Sequence, residues 1–179
     1  PQPPEHDTQG VEERRNMMEG IEELAETTVK EVMVPRIDVQ FVQDTISFDE
    51  LKVVIADQGF SRYPVYTDTI DNVIGILYVK DLLSRLDEEH FDLKRSMRKP
   101  YFVPETKRLD ELLREFKKRR VHIAVAIDEY GGVSGIVSME DILEVIVGDI
   151  QDEFDDDEDD DIIEMGDGIF LCDARTSID

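Results

Sequence analysis

One stretch of this chain occurs twice. Val73-Ile74-Gly75-Ile76-Leu77-Tyr78-Val79-Lys80-Asp81-Leu82-Leu83 returns sixty positions later as Val133-Ser134-Gly135-Ile136-Val137-Ser138-Met139-Glu140-Asp141-Ile142-Leu143. The match extends upstream: Tyr63 to Asp68 lies over Ile123 to Asp128 at the same spacing. Phe41-Val42 and Asp49-Glu50-Leu51 lie over Phe102-Val103 and Asp110-Glu111-Leu112 with a shift of one more residue. A unit of this length is too short to be an independent domain, and two copies are too few for a solenoid. The repeat therefore predicts two half-domains packed into one pseudo-two-fold module.

Within repeat one, Val39 to Val42 and Tyr63 to Tyr66 read as strands, as does Val73 to Leu77 after a polar turn. Ser47-Phe48-Asp49-Glu50 is a capping box opening a helix that Gly59 closes, and Lys80 to Leu86 is helical. Repeat two follows with strand Tyr101 to Val103, helix Arg108 to Lys118, strands Val121 to Ile127 and Val133 to Val137, and helix Met139 to Val147. Asp128-Glu129-Tyr130-Gly131-Gly132 is a turn between its two strands. Each repeat is β-α-β-β-α, so the fold class is α+β with layered helices and sheets. The organisation expected is a disordered or extended tail over 1–10, an N-terminal helix and lead-in over 11–31, repeats over 32–90 and 91–150, an acidic linker over 151–161, and the start of a further element over 162–179. In the N-terminal helix Met17, Met18, Ile21 and Leu24 recur at helical spacing.

A formal charge of −24 excludes a nucleic-acid partner, because duplex affinity comes mainly from cationic contacts to phosphate. The single cysteine, Cys172, excludes a disulfide framework. No run reaches the roughly 18 apolar residues that span a bilayer. The chain starts without Met and stops inside an apolar alternation, so it reads as a soluble fragment.

The junction at Ser138 has two readings. A hydroxyl followed three residues later by a carboxylate caps a helix. A strand running into a helix N-terminus is also where an anion is favoured by orphan N–H groups and the helix dipole. In the second reading Ser138 stands beside an anion held at this helix start. His122 aligns with Arg62 in the sixty-residue repeat. Repeat one keeps Asp81 but has Tyr78 in place of Ser138, which points to one site rather than two.

A tandem β-α-β-β-α repeat ending in Gly, two apolar residues, Ser or Thr, and Asp three positions on resembles a pair of CBS domains, the Bateman module. Val32-Met33-Val34-Pro35-Arg36, Phe60 to Tyr66, Asp128 to Gly132 and Gly135 to Asp141 resemble more narrowly the CorC/HlyC family of magnesium and cobalt efflux-associated proteins, related to the cyclin M transporters. The resemblance implies a regulatory, non-catalytic module on the cytoplasmic side of a membrane protein, behind a transmembrane domain. It implies an adenine nucleotide (AMP, ADP or ATP, with Mg2+ accompanying ATP) as ligand, contacted by Ser138, Asp141, Met33, Val34, Ile37, Ser61, Arg62, Tyr63, Pro64 and His122. It also implies a homodimer through helix faces carrying Leu82, Leu83 and Leu86 and carrying Ile142, Leu143 and Ile146. The residues after the acidic run resemble the start of that family's C-terminal transporter-associated domain. A dimerisation module with a vestigial cleft is the alternative from another class, and divalent-ion sensing by the acidic run is a third.

The remaining motifs carry less. Asp155, Asp157 and Asp159 have the first spacing of an EF-hand loop, but Asp160 and Gly166 stand where glycine and glutamate are required. Lys117-Lys118-Arg119-Arg120 complements a helix C-terminus. No phosphate-binding P-loop or dinucleotide fingerprint occurs, and Cys172, His6, His90 and His122 form no nucleophile constellation.

Overall fold

The order of elements in the computed structural model is α1 (His6–Leu24), α2 (Val29–Val32), β1 (Val34–Pro35), β2 (Val42–Gln43), α3 (Phe48–Gln58), β3 (Arg62–Tyr66), β4 (Val73–Tyr78), α4 (Val79–Leu83), α5 (Leu93–Ser96), β5 (Met97–Arg98), β6 (Phe102–Pro104), α6 (Leu109–Arg119), β7 (Ile123–Ile127), β8 (Val133–Ser138), α7 (Met139–Val147), β9 (Ile162–Gly166) and β10 (Ile169–Cys172). The structure describes residues 6–83 and 92–148, with the backbone of 162–166 and 169–172. It divides into two units, 1–148 and 149–179. The second contributes the antiparallel pair β9–β10.

The β-α-β-β-α reading of each repeat holds, for local reasons. Ser47 Oγ accepts from the Glu50 N–H and the Glu50 carboxylate accepts from the Ser47 N–H at 3.0 Å, so α3 starts where its capping box says. Gly59 ends it in the left-handed region at φ 68°, where a residue without Cβ is unstrained. In repeat two Arg120 takes the same backbone shape at φ 55°. The β7–β8 turn closes because Asp128 Oδ1 accepts from the N–H groups of Tyr130 and Gly132.

The tertiary arrangement adds an exchange. The sheets run β2-β3-β4-β5 and β1-β8-β7-β6, so each repeat's lead-in strand pairs in the other repeat's sheet. β1 runs antiparallel to β8 with Val34 opposite Ile136, and β5 antiparallel to β4 with Arg98 opposite Ile76. Gly75 and Gly135 make room for these crossings. A Cβ on Gly135 would lie 2.2 Å from the Val34 carbonyl oxygen, and one on Gly75 would lie 2.3 Å from Met97 Sδ. Each exchange is tied by a lysine: Lys30 Nζ meets Glu105 at 2.6 Å, and Lys94 Nζ meets Asp44 at 3.3 Å.

Three apolar clusters follow. One sits under repeat one (Val42, Leu51, Tyr63, Val65, Leu77, Leu82, Leu93) and one under repeat two (Leu24, Val29, Val103, Leu109, Leu112, Phe116, Val137, Ile142). Between the sheets, Val73, Ile76, Tyr78, Ile123, Val125 and Val133 form the third. Each such buried side chain contributes about 1.5–3 kcal/mol relative to exposure, so neither half closes its core alone. Asp71 ties them further, its Oδ1 accepting from Arg36 Nη1 and from the Val133 N–H, both at 2.9 Å.

Several expectations shift. The helix expected from Val11 begins at His6, so the extended tail does not reach Gly10; residues 1–5 lie outside the described residues. On α1, Leu24 and Gly20 are buried, Gly20 against the α7 backbone, whereas Met17, Met18 and Ile21 are exposed. The first strand of repeat one is Val42–Gln43 rather than Val39 to Val42, because only that pair reaches the parallel register with Val65 and Tyr66. The end of the helix expected to Leu86, most of the charged linker after it and the acidic run lie outside the described residues. Among the described residues no helix is long and apolar enough to cross a membrane, and no group of His, Cys, Asp or Glu could hold a metal ion.

Candidate functional site

Where the two sheets meet, a cavity of about 330 Å³ opens between β1, the start of β3 and the start of α7. Val34, Pro64, Ile123 and Ile136 give it apolar walls, and Asp38, Val39 and Gln40 come from the loop after β1. Phe60, Ser61 and Arg62 lead into β3, and Ser138 and Glu140 belong to the α7 start. This size lies at the small end of the roughly 300–1,000 Å³ typical of ligand clefts.

The α7 start carries the capping box. Ser138 Oγ accepts from the Asp141 N–H at 3.2 Å, and Asp141 Oδ2 accepts from the Ser138 N–H at 2.6 Å. The Met139 N–H donates to the His122 carbonyl at 2.9 Å. The capping reading therefore describes the bonds present, yet it leaves the second Asp141 oxygen for a ligand, since a carboxylate has two acceptor oxygens, while the Ser138 hydroxyl donates to Glu140. Arg62 Nη1 donates to Glu140 Oε1 at 2.9 Å, and its guanidinium stands 5.7 Å from the Tyr78 ring centre. Arg62 Nε is buried without a hydrogen-bond partner among the described residues. Burial works to raise the Glu140 carboxyl, but its own backbone N–H, Arg62 and Ser138 outweigh that and hold it below the usual range. The cleft thus offers flat apolar walls and, at one end, a cation, a hydroxyl and a helix start.

Of the residues singled out from sequence, Val34, Ser61, Arg62, Pro64 and Ser138 line this cleft. Asp141 sits at the same helix start, in the cap. Met33 closes α2 and Val34 opens β1, and the two neighbours face opposite ways. Val34 turns to the cleft, while Met33 packs on the core of repeat two with its sulfur beside Gly135. Ile37 is 89% exposed and does not line the cleft, unlike the next residue, Asp38. Tyr63 is fully buried in the core under repeat one, and burial raises its phenol.

His122 is exposed, and its alignment with Arg62 is corrected by the sheet register. Arg62 pairs with Tyr78, whereas Ile123 pairs with Ser138, so Ile123 is the counterpart of Arg62 and His122 that of Ser61. The extra residue lies in the β3–β4 turn: Tyr66 pairs with Val73, while Ile127 pairs with Val133. Sequence reasoning also missed Glu140, Phe60, Ile123, Ile136 and the loop residues Asp38 to Gln40. Glu140 lay inside the Ser138–Asp141 motif and Phe60 beside Ser61-Arg62; the others carry no local signal.

The CBS-domain family model matches residues 29–88 and 92–148, one match to each repeat. Hemolysin C of Brachyspira hyodysenteriae is 48% identical over 169 residues, 94% of this chain and 62% of that protein. The magnesium and cobalt efflux protein CorC of Vibrio cholerae is 44% identical over 177 residues, 98% of this chain and 59% of that one. The chain thus spans about three-fifths of the length of these curated relatives. The CBS domain of a bacterial CNNM/CorC family Mg2+ transporter, solved in complex with ATP, superposes with a TM-score of 0.72 at 38% identity, covering 76% of this chain and 99% of that one. A CBS-domain pair from Klebsiella pneumoniae with bound AMP superposes at 0.61 with 28% identity, over 68% and 99%. The chain belongs to the CBS-domain family, as a tandem pair of the CNNM/CorC kind.

Proposed function

We propose that the cleft between the two repeats binds one adenine nucleotide and that this binding regulates a membrane protein of the magnesium and cobalt efflux type. The observation that carries the reading is Arg62, held at the apolar cleft with a buried Nε that has no hydrogen-bond partner among the described residues, opposite the Ser138 hydroxyl. Val34, Pro64 and Ile136 wall the base, Asp141 accepts from the ribose hydroxyls, and Ser138 and Arg62 face the phosphates. A phosphate oxygen competes with Glu140 for Arg62, a charge-assisted bond in either case. The relative solved with ATP and the pair solved with AMP support the choice of ligand. Mg2+ accompanies ATP in this reading, because Glu140 adds negative charge at the phosphate end. The module does no chemistry of its own; its output is a conformational bias passed to the rest of a longer protein.

Thermal melts with AMP, ADP and ATP, each with and without Mg2+, test the reading. A ligand at one hundred times its dissociation constant adds about 2.7 kcal/mol of stability. No shift with any of them overturns nucleotide binding. The exposed Met17, Met18 and Ile21 on α1, with Leu143 on α7, favour a second reading, an association module that dimerises through a helical face. Light scattering showing a monomer at high micromolar concentration, with and without nucleotide, sinks that one.

A further inference from the structure

We infer that Arg98 is the chain's own occupant of the second, pseudo-equivalent cleft and, together with Tyr78, limits the module to one nucleotide; this rests on the nucleotide reading above. The register defines the equivalence. Val34 lies opposite Ile136 on β8, and Arg98 lies opposite Ile76 on β4, with Ile76 and Ile136 at matching places in the repeat. The side chain that walls the first cleft is thus replaced by a guanidinium in the second. Arg98 uses it on the counterpart of Asp141: its Nε donates to Asp81 Oδ2 at 2.9 Å and its Nη2 reaches Oδ1 at 3.1 Å and Oδ2 at 2.7 Å. Both carboxylate oxygens that would take ribose hydroxyls are engaged by one planar fork.

The same guanidinium lies 4.2 Å from the ring centre of Tyr78, the counterpart of Ser138. Tyr78 is buried in the cluster between the sheets, so its ring stands where the first cleft has space and a hydroxyl. An exposed ion pair alone would mean little. Here a bidentate pair and a ring stack meet at the one register position where the exchanged strand of the other half presents valine. Arg62 is shared: it lines the first cleft and approaches Tyr78 from the second. The polarity of the helix start is also reversed, with Lys80 standing where the first cleft has Glu140.

Equilibrium dialysis with ATP and magnesium chloride, counting nucleotide bound per chain, tests the inference. Wild type is expected to take one equivalent, and Asp141→Ala to bind roughly 10–100-fold more weakly without leaving a residual half of the sites. Arg98→Val should keep one equivalent bound at the first site, with only a modest change in affinity passed through the Tyr78 ring that Arg98 shares with Arg62. Tyr78→Ser combined with Arg98→Val, confirmed folded by its melt, should take a second equivalent. Two equivalents in wild type, a half-occupied Asp141→Ala, or a folded double variant that still takes one would each overturn the inference while leaving nucleotide binding intact. No binding by wild type overturns both.

Discussion

The two halves of this module share a scaffold and differ in what they place on it. Both donate a lead-in strand to the other's sheet over a glycine, both anchor it with a lysine on a carboxylate, and both end the long helix of the repeat in a left-handed residue. At the cleft they part: Val34, Arg62, Ser138 and Glu140 in one half face Arg98, Ile123, Tyr78 and Lys80 in the other. The lesson is that symmetry of backbone is a statement about packing, and function is settled by a few side chains at equivalent register positions. A cleft of the same backbone shape can hold a ligand or be filled by its own arginine.

The largest expected asymmetry is in the cores. Phe116 is fully buried, and its counterpart on α3, Ile55, is half-buried. Phe116→Ala should cost about 3–5 kcal/mol in urea unfolding, and Ile55→Ala clearly less. Equal losses would show that the two cores are equally packed and would break the comparison.

Next comes the ligand. Asp141→Ala should weaken nucleotide binding by about 1.5–3 kcal/mol, the scale for hydrogen bonds to a charged group, with a loss of stability of only about 0.3–1 kcal/mol for a helix-start carboxylate. Asp81→Ala should leave affinity nearly unchanged, because Arg98 already holds that carboxylate. Calorimetric titration of both variants decides it: loss of binding in Asp81→Ala alone would place the site in the wrong half.

The exchanged strands give a smaller contrast. An alanine at Gly135 meets the Val34 backbone carbonyl, which cannot step aside, so overpacking should cost roughly 1–3 kcal/mol. An alanine at Gly75 meets the Met97 side chain, which has rotamers to spare, and should cost less. Denaturant midpoints for the two variants measure the difference, and the reverse order would mean that β5 is held more rigidly than β1.

The smallest effect is in pH. The Lys30 ammonium and the Ser134 hydroxyl hold the Glu105 carboxyl below the usual glutamate range, against burial. A depressed folded value means the contribution is complete above the ordinary glutamate pKa of about 4.3 and is lost as pH falls through the folded value. Glu105→Gln should therefore flatten the acid limb of stability below about pH 4 and leave the slope between neutrality and pH 9 unchanged. An unaltered acid limb would show that the Lys30–Glu105 contact is not maintained in solution.

The sequence by itself determined the repeat, the β-α-β-β-α content and the helix starts and stops, because these are local. The capping box at Ser47, the left-handed glycine at Gly59 and the hydroxyl–carboxylate pair at Ser138 and Asp141 act within a few residues of themselves. For the same reason the motif at the α7 start, the core of the candidate site, was legible without any partner across the sheet. What only the tertiary structure decided is whatever depends on that partner. A two-residue strand such as Val34–Pro35 has no period to read, and its pairing with β8 rather than with its own repeat is set by which sheet edge is open. One extra residue in the β3–β4 turn moves the counterpart of Arg62 from His122 to Ile123, a change visible only once the strands are in register. Arg98 reads in sequence as one more surface cation; its place over Tyr78 and on Asp81 exists because strand exchange carries it into the other half's cleft.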